Sequence, residues 1–406
     1  MLFPEYVIYG LCYFRHILPL NYSGLMSYAM YTPDFDTLEF LAHHWQKQPL
    51  VIKGAFAHFQ DPIAPDELAG LACEEEVASR IVLTKKDNWE IIQGPIEDYS
   101  PFGDANWQLL VQAVNHWYPD VEPLVNAFRF IPDWRFDDLM VSYATPGGGV
   151  GPHIDNYDVF LLQGEGRRRW KVGAKGQYSP RGGDTHTALI DDFEPILDVV
   201  LEAGDMLYIP PGFPHRGETL ETALSYSIGF RAPSQQELFS SIADHLIDTN
   251  GGNKRFTSNQ EPASPSLLSI EQQEGMLALV SEILSQPEHY QTVLGQTLSQ
   301  NRFELDLAEQ EDNYTLEELL EAVEDGASIQ RIGGLKVIRL EGDKLVRLFI
   351  NGEIYDFNEA NASNEELMLL ADQFSFEGEQ ALSLCQHEAI GQYFVWLLNS
   401  GYAYLA

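Results

Sequence analysis

Cysteine is scarce in this 406-residue chain: Cys12, Cys73 and Cys385 lie far apart, with no CxxC spacing and no even number to pair. That argues against a disulfide framework and for a reducing, cytoplasmic compartment. Basic residues are short as well, 24 Lys and Arg against 61 Asp and Glu, for a formal charge of −37. Such a field repels nucleic-acid phosphates and lipid headgroups, so no direct nucleic-acid or membrane binding is expected, and it draws in basic proteins or peptides. A solvated acidic surface serving only solubility would carry the same charge, so charge alone selects no partner. Uncharged apolar runs are too short for a membrane helix, which needs about 18 residues. The apolar, aromatic head from Met1 to Ser27 is broken by Glu5 and Arg15 and lacks the layout of a secretory signal. Residues 1–30 are therefore expected to be an N-terminal extension from a mis-called start, with Met26 or Met30 as alternative starts. Internal repeats and low-complexity tracts are also missing.

What remains is ordinary globular sequence, 45% hydrophobic and long enough for two or three domains. Apolar spacing of three and four predicts helices over Phe35–Gln46 and Trp107–His116. From Asp138 to Phe230, short β-rich runs (LMVSYA, YDVFLLQ, RRWKVG, DMLYIP and ALSYSIGF) alternate with Gly and Pro turns. With no helices between them, they favour an antiparallel double-sheet jelly roll over a parallel α/β sheet. Ser234-Gln235-Gln236-Glu237 reads as a capping box that opens an amphipathic helix, and two more helices are expected around Ile270–Leu284 and Glu288–Gln300. Three such helices bury little alone, which suggests pairing with their copy in a second subunit, hence a homodimer. Beyond an acidic linker near Glu309–Asn313, Thr315 caps another helix. LKVIRL and LVRLFI then lead through an Asn351-Gly352 turn into EIYDF, and two closing helices follow, the first starting at Ser363. The result is a small α+β module of winged-helix type. Between Glu309 and Ala406, 5 Lys and Arg stand against 19 Asp and Glu, the wrong sign for DNA.

The strongest chemical signal is Pro152-His153-Ile154-Asp155. Positions i and i+2 on a strand share a face, so His153 and Asp155 can offer an imidazole and a carboxylate to one metal. His215, after DMLYIP and the turn PPGFP, can supply a third ligand if a barrel folds it back opposite His153. Two histidines and a carboxylate on one face leave coordination positions open, as non-haem Fe(II) oxygenases require. An HxD pair alone is weak and is more often a solvated turn or a satisfied core histidine than a metal site. Its weight comes from the preceding Gly147-Gly148-Gly149 turn, the surrounding strands and the downstream histidine. The other histidines, His16, His43, His44, His58, His116, His186, His245, His289 and His387, lack such an arrangement and read as surface or packing residues. In RRRWKV, alternation puts Arg168, Trp170 and Val172 on one face, so Arg168 points inward. An arginine aimed into an apolar barrel needs an anion, and its fork matches the distal carboxylate of 2-oxoglutarate.

VSYATPGGGVGPHIDNYDVFLLQGEGRRRWKVG and GDMLYIPPGFPHRGE resemble the bacterial branch of the JmjC-type ribosomal oxygenases, the protein arginine hydroxylases among them. HWQKQPLVIKGAF, NWQLLVQAVNHW and the final NSGY extend the similarity from about Tyr31 to the C-terminus. The resemblance implies an α+β fold: a JmjC (cupin) double-stranded β-helix over 31–233, a helical dimerisation segment over 234–304 and a winged-helix-like domain over 305–406. It implies a metal site of His153, Asp155 and His215, co-substrate contacts from Arg168 and Ser142, and Fe(II), 2-oxoglutarate and O2 as cofactor and co-substrates. The implied reaction is β-hydroxylation of an arginine in a basic large-subunit ribosomal protein, releasing succinate and CO2. Asp137 or Asp138, with Tyr143 or Tyr157, could line the arginine pocket. Alternatives are the same chemistry on a histidine, a lysine or another basic protein, a cupin acting on a small molecule without 2-oxoglutarate, and a non-catalytic binding module.

Overall fold

Strands dominate the first half of the chain because its buried runs are β-branched and aromatic and are punctuated by Gly and Pro. The computed structural model describes residues 31–86, 88–181, 189–258, 264–308, 312–357 and 362–406. The expected extension over 1–30, with Cys12 and His16, lies outside these residues, as do His186 and the start of the acidic linker. The chain divides into two compact units, one reaching to Ala232 with Arg302–Asp306 and Ile332–Gly334, the other holding Pro233–Asn301, Leu307–Arg331 and Leu335–Ala406.

In the first unit the strands are β1 (Leu50–Ile52), β2 (Ser79–Lys85), β3 (Asn88–Gln93), β4 (Trp107–Val111), β5 (Phe136–Ala144), β6 (His153–Ile154), β7 (Asp158–Gln163), β8 (Arg168–Gly173), β9 (Pro195–Leu201), β10 (Met206–Ile209), β11 (Pro214–Thr219) and β12 (Ala223–Phe230). They form an eight-stranded sheet in the order β1-β10-β7-β12-β5-β4-β2-β3 and a four-stranded sheet in the order β6-β11-β8-β9, all neighbours antiparallel. This is the expected jelly roll. Alternation sorts the side chains: Val159, Leu161, Leu207 and Ile209 of the large sheet pack with Trp170, Val172 and Leu201 of the small one. The opposite face of the large sheet carries Phe160, Leu162, Tyr226, Ile228, Leu139 and Val141 into a second core with Phe40, Leu68 and Phe128.

The helix expected over Trp107–His116 is corrected. WQLLV forms β4, buried on both faces between β2 and β5, and only Val114–Trp117 makes one helical turn. Five consecutive buried residues satisfy helical and strand spacing alike, and the flanking strands decide.

The second unit contains the expected helices Gln235–Asp248, Ile270–Leu284 and Pro287–Ser299, the first two with capping boxes on Ser234 and Ser269. The helices and, apart from Ile332–Gly334, the module after them fall in this one unit. Arg347–Ile350 and Glu353–Asp356 make the hairpin around Asn351-Gly352, with Val337–Ile338 on its other edge. Among the described residues, three closing helices, not two, follow the hairpin: Asn364–Asp372, Gly378–Gln386 and Glu388–Asn399. Gly378–Gln386 has no side-chain cap and a largely polar sequence, so it carries little local signal.

Candidate metal centre

His153 on β6 and His215 on β11 are direct cross-strand partners, and His215 also faces Val172 on β8. Their rings lie 4.2 Å apart between centroids. Asp155, two residues after His153, brings Oδ2 to 3.8 Å from His153 Nε2 and 3.5 Å from His215 Nε2. One ligand atom from each residue fits within 4.8 Å of the others, the single such cluster of three among the described residues. The far side of each ring fixes its tautomer. Nδ1 of His153 donates to the Gly151 carbonyl at 3.0 Å, and Nδ1 of His215 to that of Phe213 at 3.1 Å. A carbonyl can only accept, so both Nδ1 atoms carry protons, and Nε2 is the ring nitrogen that each histidine turns to the carboxylate. Burial, reinforced by the neighbouring His153, pushes His215 down to about 4, so its ring is neutral near pH 7. Two ring nitrogens and a carboxylate oxygen that converge on one point are a set of donor atoms that a cation can hold together. Two imidazoles and one carboxylate suit Fe(II) and leave positions open for other ligands.

The loop before His153 is shaped by glycine. Gly151 has φ +82°, and a Cβ there would lie 2.8 Å from the Trp89 ring, so the chain turns into β6 tight against that indole.

Arg168 lies on the inner face of β8 at 2% exposure, while its neighbour Arg169 points outward to Asp198. Its guanidinium donates to Gln108 Oε1 at 3.2 Å and, weakly, to Ser225 Oγ at 3.4 Å, but Nε has no partner. No carboxylate among the described residues pairs with it, and burial alone pushes it down to about 10. The Thr219 hydroxyl, cross-strand from Arg168, is likewise buried and unpartnered. Leaving a guanidinium so desolvated costs several kcal/mol unless an anion joins it. The residues therefore fit a dicarboxylate. Ser142 is cross-strand from Ser225, and partners share a face, so its side chain points into the same interior. Gly217 sits between His215 and Thr219 on β11. A Cβ there would meet Trp170 at 2.9 Å and the Arg168 guanidinium at 3.0 Å. Gly217→Ala is expected to raise the KM for 2-oxoglutarate about tenfold while altering kcat far less, the price of a displaced fork. Steady-state succinate release checks this, and an unchanged KM would show that the space at Gly217 is not used.

Of the four candidates for an arginine pocket, the structure separates two. Tyr143 faces the outer core beside Trp107, and Asp137 is held bidentately by Arg302. Asp138 lies on the same face of β5 as Ser142 and is 6% exposed. Burial, then the Asp137 charge, raises its carboxyl to about 6. Arg80 of β2 is close enough to feel Tyr157, Asp138 and Asp155. Burial and the Asp155 and Asp138 charges hold the Tyr157 hydroxyl well above its ordinary range, so it remains a donor. Gln108, Ser225, Thr219 and Arg80 were not expected. Ser225 and Ser227 do alternate with Leu224, Tyr226 and Ile228, a period-two pattern that marks a polar inner face, whereas Gln108 was hidden in the run read as a helix.

Residues 123–238 match the family model for a JmjC domain, and residues 282–404 that for a ROXA-like winged helix. The chain is 44% identical over 371 residues to the ribosomal protein uL16 3-hydroxylase of Escherichia coli, covering 90% of this chain and 96% of that one. Two structures of YcfD, a ribosomal oxygenase from E. coli, superimpose with a TM-score of 0.83. The one with cobalt and succinic acid is 42% identical, the one with cobalt and 2-oxoglutarate 41%, and each match covers 92% of this chain and 99% of the other.

Proposed function

Because the chain belongs to the JmjC-domain ribosomal oxygenases, enzymes dependent on 2-oxoglutarate and a metal, we propose that it hydroxylates the β-carbon of an arginine in the ribosomal protein uL16. The observation that carries the chemistry is the buried, unpaired Arg168 on the same barrel interior as the three converging ligand atoms of His153, Asp155 and His215. In this reading those three residues hold Fe(II), and Arg168, with Ser142 nearby, takes the distal carboxylate of 2-oxoglutarate. When bound, the metal, 2-oxoglutarate and O2 together supply the power to replace a C–H bond by C–OH, with succinate and CO2 released. The chain's own share is to position and to exclude water. The backbone carbonyls of Gly151 and Phe213 hold both imidazoles in the Nε2-binding tautomer. Asp138, buried and acidic, receives the substrate guanidinium, and the Tyr157 hydroxyl, whose own proton is directed to Asp155, offers its oxygen as an acceptor beside it. The net charge of −37 favours encounter with a basic ribosomal protein.

Replacing the target arginine in a uL16 peptide by lysine or by histidine tests the pocket. Oxygen incorporation should fall to background with both, whereas equal modification of a histidine peptide would reassign the substrate side chain.

We also propose that residues 31–233 form the catalytic domain, 305–406 the winged-helix-like domain, and 234–304 a dimerisation segment that pairs with a second copy. Helix Ile270–Leu284 supports this, leaving Ile270, Leu277 and Val280 exposed by 74%, 67% and 50%. Leu277→Asp is expected to convert a dimer to a monomer in light scattering with helix content intact, and a wild type that is already monomeric would end this reading. No described helix is long and apolar enough to cross a membrane. A cytoplasmic location, where the ribosomal substrate is made, fits the proposed reaction.

A further inference from the structure

Arg302 grips Asp137 with both arms of its fork although the two lie 165 residues apart: Nε reaches Oδ1 at 3.2 Å and Nη2 reaches Oδ2 at 2.5 Å. The same Nη2 lies 3.8 Å from Asp138 Oδ1. The two carboxylate side chains are only 7% and 8% exposed, whereas that of Arg302 is 47% exposed. Consecutive residues of a strand send their side chains to opposite faces, so one fork rarely serves both. Here it does so near the start of β5, where the pairing with β12 is irregular between Ile228 and Phe230. Gly229 fills that irregularity, and a Cβ there would lie 3.5 Å from Asp138 Oδ1 and 3.8 Å from Asp137 Cβ. Two adjacent buried carboxylates repel each other, and this site places one cation across both.

We propose that Arg302 is a positioning residue for substrate recognition: by neutralising Asp137 and reaching toward Asp138, it keeps the Asp138 carboxylate charged and available to the incoming guanidinium. This rests on the reading of Asp138 as the arginine's acceptor. The groups around Asp138 are Asp137 on its own strand, Arg302, Arg80 from β2, Tyr157 after β6, and the Ala113 backbone N–H, which donates to Oδ2 at 3.1 Å. Burial and Asp137 favour the neutral acid, whereas the Ala113 bond, Arg302 and Arg80 favour the carboxylate. Loss of Arg302 removes one cation and frees the Asp137 charge, and both changes raise the Asp138 pKa. A protonated Asp138 offers a guanidinium a neutral acceptor in place of an ion pair. If Arg302 only stapled its segment, which also accepts a bond from His116 at the Glu304 carbonyl, the effect of losing it would not depend on pH.

The test measures the Kd of the uL16 arginine peptide on the full chain, loaded anaerobically with Fe(II) and 2-oxoglutarate so that binding is read without turnover. In Arg302→Gln, affinity is expected to fall about twofold to tenfold near pH 7 and to return within about twofold of wild type near pH 9, as a pKa raised by about one to two units from about 6 requires. Arg302→Lys should recover most of the affinity near pH 7. Asp137→Asn should act in the opposite direction, holding affinity to lower pH than wild type, and it keeps the proposal testable should Arg302→Gln fold poorly. Equal losses in Arg302→Gln at every pH, or none, would overturn the role, as would an acid limb unmoved in Asp137→Asn. Wild-type affinity in Asp138→Asn would instead remove the arginine pocket, and this inference with it.

Discussion

Alanine at His153 or at Asp155 is expected to leave a folded protein that neither retains iron through desalting nor releases succinate. Loss of an outer partner of a metal-ligating histidine already costs ~10–100-fold in affinity or activity, so loss of a ligand itself should cost ~1,000-fold or more. The two changes differ in their effect on the metal-free fold. His153 sits on a two-residue strand and donates to the Gly151 carbonyl, so its loss also loosens the turn that seats β6. Asp155 contributes a carboxylate oxygen that faces Nε2 of the neutral, buried His215, and its removal relieves that pairing of two acceptors. Asp155→Ala should therefore match or exceed wild type in metal-free thermal stability, while His153→Ala falls below it. Iron content by elemental analysis and a melting curve check both points. Stoichiometric iron in either variant would show that the three residues are not the metal site.

Arg168→Met is expected to uncouple stability from function more sharply. Truncating one partner of a buried charge pair typically costs about 2–5 kcal/mol, so the Kd for 2-oxoglutarate should rise roughly thirtyfold to several thousandfold. The same change removes a guanidinium that is almost wholly desolvated and has a bare Nε. Replacing it with an apolar side chain of similar length should raise the melting temperature of the metal-free protein. Titration calorimetry with 2-oxoglutarate and a melting curve would measure the two effects. A more stable variant with undiminished co-substrate affinity would assign Arg168 a purely structural place and favour a cupin chemistry without 2-oxoglutarate.

The site was more legible in the sequence than the scaffold around it. His153 and Asp155 share a face because strands repeat every two residues, and Arg168 points inward for the same reason, so local spacing sufficed. His215 needed the barrel, and the alternating runs on either side of it supplied that expectation. Gln108 was lost because the helical reading of Trp107–His116 ignored what β2 and β5 would bury against it. Arg302 was lost for a different reason: its partner lies far along the chain, and nothing in Asn301-Arg302-Phe303 marks it as more than a surface cation. The lining of the proposed co-substrate pocket is spread over five strands, β4, β5, β8, β11 and β12, and only packing shows which of their polar residues meet.

The most direct test is turnover of a uL16 peptide by the iron-loaded protein under isotopically labelled dioxygen, with fragment mass spectrometry of the peptide and analysis of succinate. One labelled oxygen atom on a single arginine, matched by one in succinate and lost in both His153→Ala and Arg168→Met, is the expected result. Labelled succinate with an unmodified peptide would contradict the arginine substrate, and an absence of labelled succinate in wild type would contradict the metal and 2-oxoglutarate assignment itself.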